Sequence, residues 1–160
     1  MDLQIHRLTP DHMSFLREIL YQAVFVPPGE PPPPRSIIDT PALARYIEGF
    51  GTRDGDVGLV AYVADKPIGA TWVRLIEGYG FVDSQTPELS IAVLPDYRGS
   101  GAGTALLKAL FDALRETFQR VSLSVQIDNP AAQLYQRLGF EVVKVDGSSY
   151  IMVKSLTGAD

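Results

Sequence analysis

Three glycines at alternate positions between Gly99 and Gly103 follow Arg98 in a stretch that could bind phosphate. The apolar segment Glu88–Leu94 precedes this loop, and an apolar pattern with helical spacing follows it. Glycines let the backbone approach a ligand closely, and the first N–H groups of a helix have no acceptor inside the helix. Together with the positive end of the helix dipole, these donors would form a pyrophosphate site. The alternative is a glycine-rich turn that only connects a strand to a helix.

Two nucleotide-binding loops with a similar composition do not fit this stretch. A P-loop requires G-x-x-x-x-G-K-[ST], and neither Lys-Ser nor Lys-Thr follows these glycines. The dinucleotide fingerprint G-x-G-x-x-G lies close to an N-terminal strand, whereas these glycines are spaced G-x-G-x-G and lie late in the chain. Both nucleotide classes are therefore excluded.

The hydrophobic patterns around the loop predict one mixed sheet flanked by helices. Apolar runs and alternation predict strands at Leu3–Leu8, Val57–Ala64, Pro67–Glu77, Glu88–Leu94, Val121–Ile127, Phe140–Val145 and Ser149–Leu156. Helical spacing and capping residues predict helices at Pro10–Phe25, Pro41–Phe50, Thr104–Phe118 and Ala131–Leu138. A tight turn at Asp65 and Lys66 would join the second and third strands.

The segment Val26–Ser36 contains six prolines and cannot form a helix or a central strand. It is either a stiff surface loop, a dimer contact, or the wall of a site. As the wall of a site, this proline-stiffened segment would lose little conformational entropy when a ligand binds. Glu30 could then pair with an ammonium group of the ligand, or Arg35 with a carboxylate.

The stretch Arg98–Gly103 also matches the pattern [RQ]-x-x-G-x-[GA], and a second motif, NPAAQLYQRLGF, occupies Asn129–Phe140. With a strand between them, these motifs make most of the chain resemble the GNAT superfamily of acyl-CoA-dependent N-acetyltransferases. The resemblance implies one domain over residues 1–160, of the α+β class with α-β-α layers. Its mixed, mostly antiparallel sheet would have about seven strands flanked by four helices and would be splayed in the middle for acyl-CoA.

The resemblance also implies where acetyl-CoA binds. The pantetheine arm would pair with the Ile91–Leu94 backbone where that strand splays from Val121–Ile127, and a main-chain N–H there would polarise the thioester carbonyl. Asn129 would contact the pantetheine chain, although it is equally a good helix cap. The residues expected to bind acetyl-CoA are Ile91, Ala92, Val93, Arg98, Gly99, Ser100, Gly101, Ala102, Gly103, Thr104 and Asn129.

Two residues could move the protons that acyl transfer requires. In similar enzymes the tyrosine at the position of Tyr135 lies near the sulfur, so Tyr135 is the expected general acid, with a half-buried core tyrosine as the alternative. Glu88 begins the strand that leads to the glycine loop, where several members of the family carry a base. A solvated carboxylate at a strand end is the equal alternative.

Four further side chains have weaker claims to a site. Trp72 and Arg74 share a face of one strand and could line an acceptor pocket, but a core tryptophan and an exposed or paired arginine are the simpler interpretation. His6 and His12 lie far in sequence from both motifs. With two histidines and no cysteine, no metal-ligand cluster is expected. No Ser-His-Asp arrangement is supported.

The composition argues against a nucleic-acid partner, a membrane-spanning segment and a covalent cysteine intermediate. A net charge of −5 argues against a nucleic-acid partner, because binding of nucleic acids depends on lysine and arginine. No apolar stretch is long enough to span a membrane and no signal peptide is recognisable, so a cytoplasmic protein is the expectation. The chain has no cysteine, which rules out an acetyl-cysteine intermediate and favours direct transfer in a ternary complex.

The sequence therefore predicts an N-acetyltransferase that moves an acetyl group from acetyl-CoA to an amine, most simply a small metabolite or an amino-acid-like amine. A protein amine and another acyl group stay open as substrates. The alternative is a catalytically silent CoA-binding sensor or interaction module on the same fold. A homodimer would be unsurprising for the family.

Overall fold

The computed structural model describes residues 2–157 of the chain. Within them the backbone forms seven strands and four α-helices in the predicted order. The strands are β1 (Leu3–Arg7), β2 (Val57–Val63), β3 (Lys66–Arg74), β4 (Glu88–Val93), β5 (Arg120–Gln126), β6 (Glu141–Asp146) and β7 (Ser149–Ser155). The helices are α1 (Met13–Ala23), α2 (Pro41–Ala44), α3 (Ala102–Leu114) and α4 (Ala131–Arg137).

The strands form one open sheet in the order β1-β2-β3-β4-β5-β7-β6. Neighbouring strands are antiparallel except β4 and β5, which run parallel. Among the described residues, β4 and β5 pair at one position only, Glu88 with Ser122, whereas β5 and β7 pair at seven positions. The predicted mixed, mostly antiparallel sheet that is splayed in the middle is thereby confirmed.

Helices cover both faces of the sheet and give three layers. Successive side chains of a strand point to opposite faces, and the adjacent residues Trp72 and Val73 of β3 belong to different hydrophobic cores. The core around Trp72 includes Leu16, Ile19 and Leu20 of α1. The core around Val73 contains apolar residues of α3, α4 and the second half of the sheet. This second core extends across the gap between β4 and β5, because it includes Leu89 of β4 and Leu123 of β5, and it therefore packs the two halves of the sheet together.

The hairpin between β2 and β3 turns one residue earlier than predicted. Val63 pairs with Lys66, so the turn residues are Ala64 and Asp65, and both have positive φ values of 51° and 67°. A two-residue hairpin turn that follows the twist of its strands needs positive φ at both central positions. Lys66 therefore already belongs to β3.

The helix predicted over Pro41–Phe50 is much shorter, because α2 ends at Ala44 and the chain continues in turns. Gly49 is left-handed, with φ of 62°, which no α-helix accommodates. Arg74 Nη1 also donates hydrogen bonds to the carbonyl oxygens of Arg45 (3.1 Å) and Glu48 (2.6 Å). A tertiary contact thus overrides the local helical pattern.

Other element ends differ by a few residues. A 3₁₀ turn at Pro10–His12 precedes α1, α3 begins at Ala102 instead of Thr104, and β3 ends at Arg74. In the part of the chain that the structure describes, we find no helix with the length and apolar character needed to cross a bilayer.

Arg74 also forms a buried ion pair with Asp56. Its Nε and Nη2 atoms donate to the two carboxylate oxygens at 3.0 and 2.9 Å, and both side chains are 1% exposed. Burial alone would raise the pKa of Asp56, but the hydrogen bonds from Arg74 and from the Gly51 and Arg53 N–H groups lower it below its ordinary value. This ion pair connects Asp56, which immediately precedes β2, to Arg74 at the end of β3.

Replacing Asp56 with alanine should strongly destabilise the fold, since it leaves the Arg74 charge buried and unpaired. We expect a loss of about 3–5 kcal/mol in the free energy of unfolding, measured by urea denaturation. Asp39→Ala is the matched control, because the Arg17–Asp39 pair has exposed side chains and should contribute about 0–1 kcal/mol. Equal losses in the two variants would contradict this role for Arg74 and Asp56.

Candidate functional site

A cavity of about 890 Å³ lies where β4 and β5 separate. Seven of the thirteen residues expected to bind acetyl-CoA or to act in catalysis line it, namely Glu88, Ile91, Ala92, Val93, Arg98, Asn129 and Tyr135. Gly99–Thr104 are not among its lining residues. Its walls come from the end of α1 and the loop after it (Leu20–Val26), the proline segment (Pro32, Pro33), β4 (Glu88–Val93), β5 (Leu123–Gln126) and the region of α4 (Asn129, Ala131, Tyr135).

The backbone of β4 supplies unpaired hydrogen-bonding groups to this cavity. The Leu94 N–H donates to the Ile68 carbonyl on the β3 side (2.7 Å), and the Ser122 N–H of β5 donates to the Pro87 carbonyl (3.0 Å). Adjacent residues of a strand direct these groups to opposite sides, so Ile91 and Val93 direct theirs toward β5. Within residues 2–157 the two strands pair only at Glu88 and Ser122, so the Ile91 and Val93 N–H groups are left to bind an extended ligand.

The glycine loop has the geometry of an anion site. Gly99 and Gly101 are left-handed, with φ of 74° and 88°, and an added Cβ at either would meet no atom within 4 Å. Among residues 2–157, no backbone acceptor receives the N–H groups between Gly99 and Thr104. These donors precede and open the 13-residue helix α3, where the helix dipole favours an anion.

The backbone N–H of Arg98, which was expected to bind the pyrophosphate, already has a partner in the structure. Its N–H donates to the Pro95 carbonyl at 3.3 Å, so it is not available for a phosphate, unlike the N–H groups after it. Its side chain lines the cavity, where Nε donates to the Val93 carbonyl (3.0 Å) and Nη2 to Gln22 Oε1 (3.2 Å). The arginine thereby joins the glycine loop to β4 and α1.

Asn129 and Tyr135 lie on the β5 side of the cavity. Asn129 Oδ1 accepts a hydrogen bond from the Ala131 N–H at 3.0 Å, so this side chain does cap α4 while it also lines the cavity. Tyr135 is buried against Phe140, with ring centroids 5.8 Å apart. Within the described range its hydroxyl has no hydrogen-bond partner, and burial raises its pKa to about 12.

Glu88 is not the solvated strand-end carboxylate that the sequence left open. It is 2% exposed and accepts hydrogen bonds from the N–H groups of Gly78 (2.6 Å) and Gly80 (2.8 Å) and from the Tyr46 hydroxyl (3.0 Å). Burial raises its pKa above the ordinary value, although these three donors and the charge of Arg45 act in the opposite direction. A carboxylate with a raised pKa inside a cavity is suited to accept a proton.

Gly78 and Gly80 lie between two predicted strands, and their N–H groups bind the Glu88 carboxylate. A Cβ on Gly78 would lie 2.4 Å from the Tyr46 hydroxyl and 2.8 Å from both Glu88 oxygens. A Cβ on Gly80 would lie 2.7 Å from the Leu123 carbonyl carbon of β5. Both glycines therefore permit close approaches, and the spacing G-Y-G between two strands is the signal that could have suggested them.

The proline segment forms one wall of the cavity and is held by contacts at Pro33 and Arg35. The Tyr21 hydroxyl donates to the Pro33 carbonyl at 2.6 Å. Arg35 pairs with Glu18 and lies over the Tyr21 ring, 4.3 Å from its centroid. Arg35 is therefore already engaged, and Glu30 is exposed and does not line the cavity.

The remaining candidates lie outside the cavity. Trp72 is fully buried and donates from Nε1 to the Tyr46 carbonyl (2.9 Å), and Arg74 forms the ion pair described above. His12 bonds to the Tyr62 hydroxyl at 2.8 Å, and His6 packs against the same ring. Across residues 2–157, no three histidine or acidic side chains lie together as metal ligands would.

The chain matches known proteins over most of its length. The model of the acetyltransferase (GNAT) family matches residues 18–140. A curated N-alpha-acetyltransferase of Sulfurisphaera tokodaii is 41% identical over 114 residues, which is 64% of this chain and 62% of the relative. This chain thus spans less than two thirds of that relative's length.

Solved structures of low sequence identity share the fold. The PaiA N-acetyltransferase from Thermoplasma acidophilum, solved in complex with coenzyme A, has a TM-score of 0.72 at 18% identity, and the match covers 97% of this chain and 99% of that one. The ribosomal-protein-S18-alanine N-acetyltransferase from Escherichia coli has a TM-score of 0.68 at 21% identity, covering 99% and 97%.

Gly80→Ala should destabilise the fold, because the added methyl group would overlap the β5 backbone at Leu123. We expect a loss of about 1–3 kcal/mol in unfolding free energy, measured in urea. Gly103→Ala is the control, since its Cβ would meet nothing nearer than Ile91 Cδ1 at 3.9 Å. It should be neutral or more stable by up to about 1 kcal/mol. Wild-type stability in Gly80→Ala would contradict the close approach.

Proposed function

The chain belongs to the acetyltransferase (GNAT) family, and from this premise we propose that it transfers an acetyl group from acetyl-CoA to an α-amine. The acceptor would be the amino terminus of a peptide or an amino-acid-like molecule, and the transfer would be direct. One observation carries the proposal: the cavity between β4 and β5 contains unpaired β4 donors, a buried carboxylate at Glu88 and a buried phenol at Tyr135.

The residues present fit acetyl-CoA. Its pyrophosphate would meet the free N–H groups of Gly99–Thr104, and the open space at Gly99 and Gly101 leaves room for close approach. The pantetheine arm would pair with the Ile91 and Val93 N–H groups, which face the gap between β4 and β5. When bound, acetyl-CoA supplies a thioester whose carbonyl carbon an amine can attack. A β4 N–H would stabilise negative charge on the carbonyl oxygen.

Glu88 would act as the base. An α-ammonium group has a pKa of about 8, so the acceptor must lose a proton before it attacks. Burial raises the pKa of Glu88, which strengthens it as a proton acceptor. Three hydrogen bonds hold the carboxylate in one orientation in the cavity wall, so little reorganisation is needed for proton transfer.

Tyr135 would act as the acid. With a pKa of about 12, its phenol keeps its proton at neutral pH. Its hydroxyl has no partner among the described residues, so it is free to donate a hydrogen bond and then a proton to the departing sulfur. Loss of such a donor commonly lowers rates by about 10²–10⁴-fold.

The α-amine as acceptor is supported by the name of the Sulfurisphaera tokodaii relative, an N-alpha-acetyltransferase. Pro32, Pro33, Tyr79 and Glu88 are among the residues that line the cavity. These side chains offer apolar and aromatic surface for the first side chain of a peptide, while Glu88 receives the proton of its amine.

The direct test is calorimetric titration with acetyl-CoA, CoA and ATP, followed by thiol release from acetyl-CoA with short peptides, amino acids and polyamines. We expect binding of acetyl-CoA and CoA but not ATP, and peptide-dependent release. Tyr135→Phe should keep the acetyl-CoA affinity within about twofold and lower kcat by roughly 10²-fold. Tyr62→Phe, which removes a tyrosine hydroxyl on β2 outside the cavity, should match the wild type.

The outcomes separate the alternatives. Absence of acetyl-CoA binding would overturn the proposal. Binding without release on any amine would favour a sensor on the same fold. Release with polyamines alone would move the acceptor to another class of amine, and parallel double-reciprocal lines would argue against direct transfer.

The rate should depend on the protonation of Glu88. Below its pKa the carboxyl group is protonated and cannot accept a proton, so kcat/KM should fall as the pH drops. Because burial raises this pKa, the acidic limb should lie above the ordinary value of about 4.3. Glu88→Gln should remove this limb and lower kcat by roughly 10²-fold or more.

Glu116→Gln is the control for the loss of one carboxylate, since Glu116 is exposed beyond α3. It should keep the wild-type rate and the acidic limb. Retention of the acidic limb in Glu88→Gln would exclude Glu88 as the base.

A further inference from the structure

We propose that Tyr46 is a positioning residue that directs the Glu88 carboxylate so that its Oε2 atom accepts the proton. The inference rests on the proposed function, in which Glu88 is the base. Tyr46 lies 42 residues before Glu88 and reaches it from the turns that follow α2. It lines the same cavity as Glu88.

The hydrogen bonds to Glu88 are divided unequally between its two oxygens. Oε1 accepts from the Tyr46 hydroxyl (3.0 Å) and from the Gly80 N–H (2.8 Å), whereas Oε2 accepts from the Gly78 N–H (2.6 Å). An ionised carboxylate oxygen accepts about two hydrogen bonds. Within the described residues, Oε1 is therefore filled and Oε2 keeps one acceptor position for a proton from the amine or from an intervening water.

The direction of the Tyr46 hydrogen bond follows from its other partner. The Tyr46 oxygen accepts a hydrogen bond from the Tyr79 N–H at 2.8 Å, so its single proton is directed to Glu88 Oε1. Burial and the neighbouring Glu88 charge raise the pKa of the Tyr46 phenol far above its ordinary value. Tyr46 therefore stays a donor to the carboxylate throughout the working pH range.

The fold fixes Tyr46 at both its backbone and its ring. Trp72 Nε1 donates to the Tyr46 carbonyl oxygen at 2.9 Å, and Arg74 bonds to the carbonyls of Arg45 and Glu48 on either side. The Tyr79 ring stacks on the Tyr46 ring with a centroid distance of 6.4 Å and an angle of 14°. Because β3 holds the backbone around Tyr46 in this way, β3 also determines where the Tyr46 hydroxyl meets Glu88.

Other charged and titratable groups surround Glu88 and stay unchanged when the Tyr46 hydroxyl is removed. Arg45 lies near enough for its charge to lower the pKa of Glu88. Arg74 stands opposite Glu88 in the β3–β4 register, but its charge is paired with Asp56. The Tyr79 ring lines the cavity. Tyr46→Phe removes the hydroxyl donor to Oε1 and the acceptor of the Tyr79 N–H, and it leaves the charges around Glu88 in place.

The test measures Glu88 directly in the full chain without substrate. Proteins labelled with carboxyl-¹³C glutamate are titrated by NMR as wild type, Tyr46→Phe and Tyr62→Phe, and Glu88→Gln assigns the signal. Loss of a hydrogen bond to the charged form should raise the pKa of Glu88 by about one unit in Tyr46→Phe. Tyr62→Phe loses a hydroxyl that bonds to His12, outside the cavity, and should leave the Glu88 titration unchanged.

Kinetics supply the second measurement. In Tyr46→Phe the acidic limb of kcat/KM should move up with the pKa of Glu88, and kcat on the plateau should fall roughly tenfold while KM for acetyl-CoA is unchanged. A role confined to stability would lower the unfolding temperature without moving the limb. An unchanged Glu88 titration, or a shifted titration without a shifted limb, would overturn the proposal.

A second variant covers the case in which Tyr46→Phe does not fold. Gly78→Ala places a methyl group 2.4 Å from the Tyr46 hydroxyl and 2.8 Å from both Glu88 oxygens. It should separate the two side chains and also raise the pKa of Glu88. If Glu88→Gln keeps full activity, the proposed base is wrong, while the NMR titration still decides whether Tyr46 holds Glu88.

Discussion

The separation of β4 from β5 is the constraint on which the rest of the structure depends. Parallel strands that paired fully would leave no free donors at the centre of the sheet. Within residues 2–157 these strands pair once, at Glu88 and Ser122, and Gly80 lies against the β5 backbone at Leu123 just beyond that point. The open edge of β4, the cavity and the position of Glu88 all follow from this one interruption.

Buried hydrogen bonds and one buried ion pair hold the residues beside the gap between β4 and β5 in place. Arg74 and Trp72 on β3 hold the carbonyls of the turns after α2, and those turns present Tyr46 to Glu88. The same arginine is neutralised by Asp56, so its burial does not leave an unpaired charge. Hydrogen bonds to the backbone around Tyr46, together with the Tyr46 side chain, thus connect the ion pair to the carboxylate.

Much of the fold and the glycine loop could be predicted from the sequence, because both are encoded by nearby residues. Periodicity gave the order of strands and helices, and glycine spacing gave the strand-to-helix turn around Gly101. The donors to Glu88 could not be predicted, because Tyr46 and Glu88 meet through tertiary packing 42 residues apart. The early end of α2 could not be predicted for the same reason, because Arg74, which is distant in sequence, binds the carbonyl oxygens of Arg45 and Glu48 just after the helix.

The fastened proline segment has a consequence for the kinetics of ligand exchange. Tyr21 holds its middle and Glu18 holds Arg35 at its end, so this wall does not have to fold over a ligand that enters the cavity. Association with this cavity would then not wait for a lid to close, and related ligands would differ mainly in how fast they leave. Selectivity at this wall would therefore lie in the residence time of a ligand and not in its association rate.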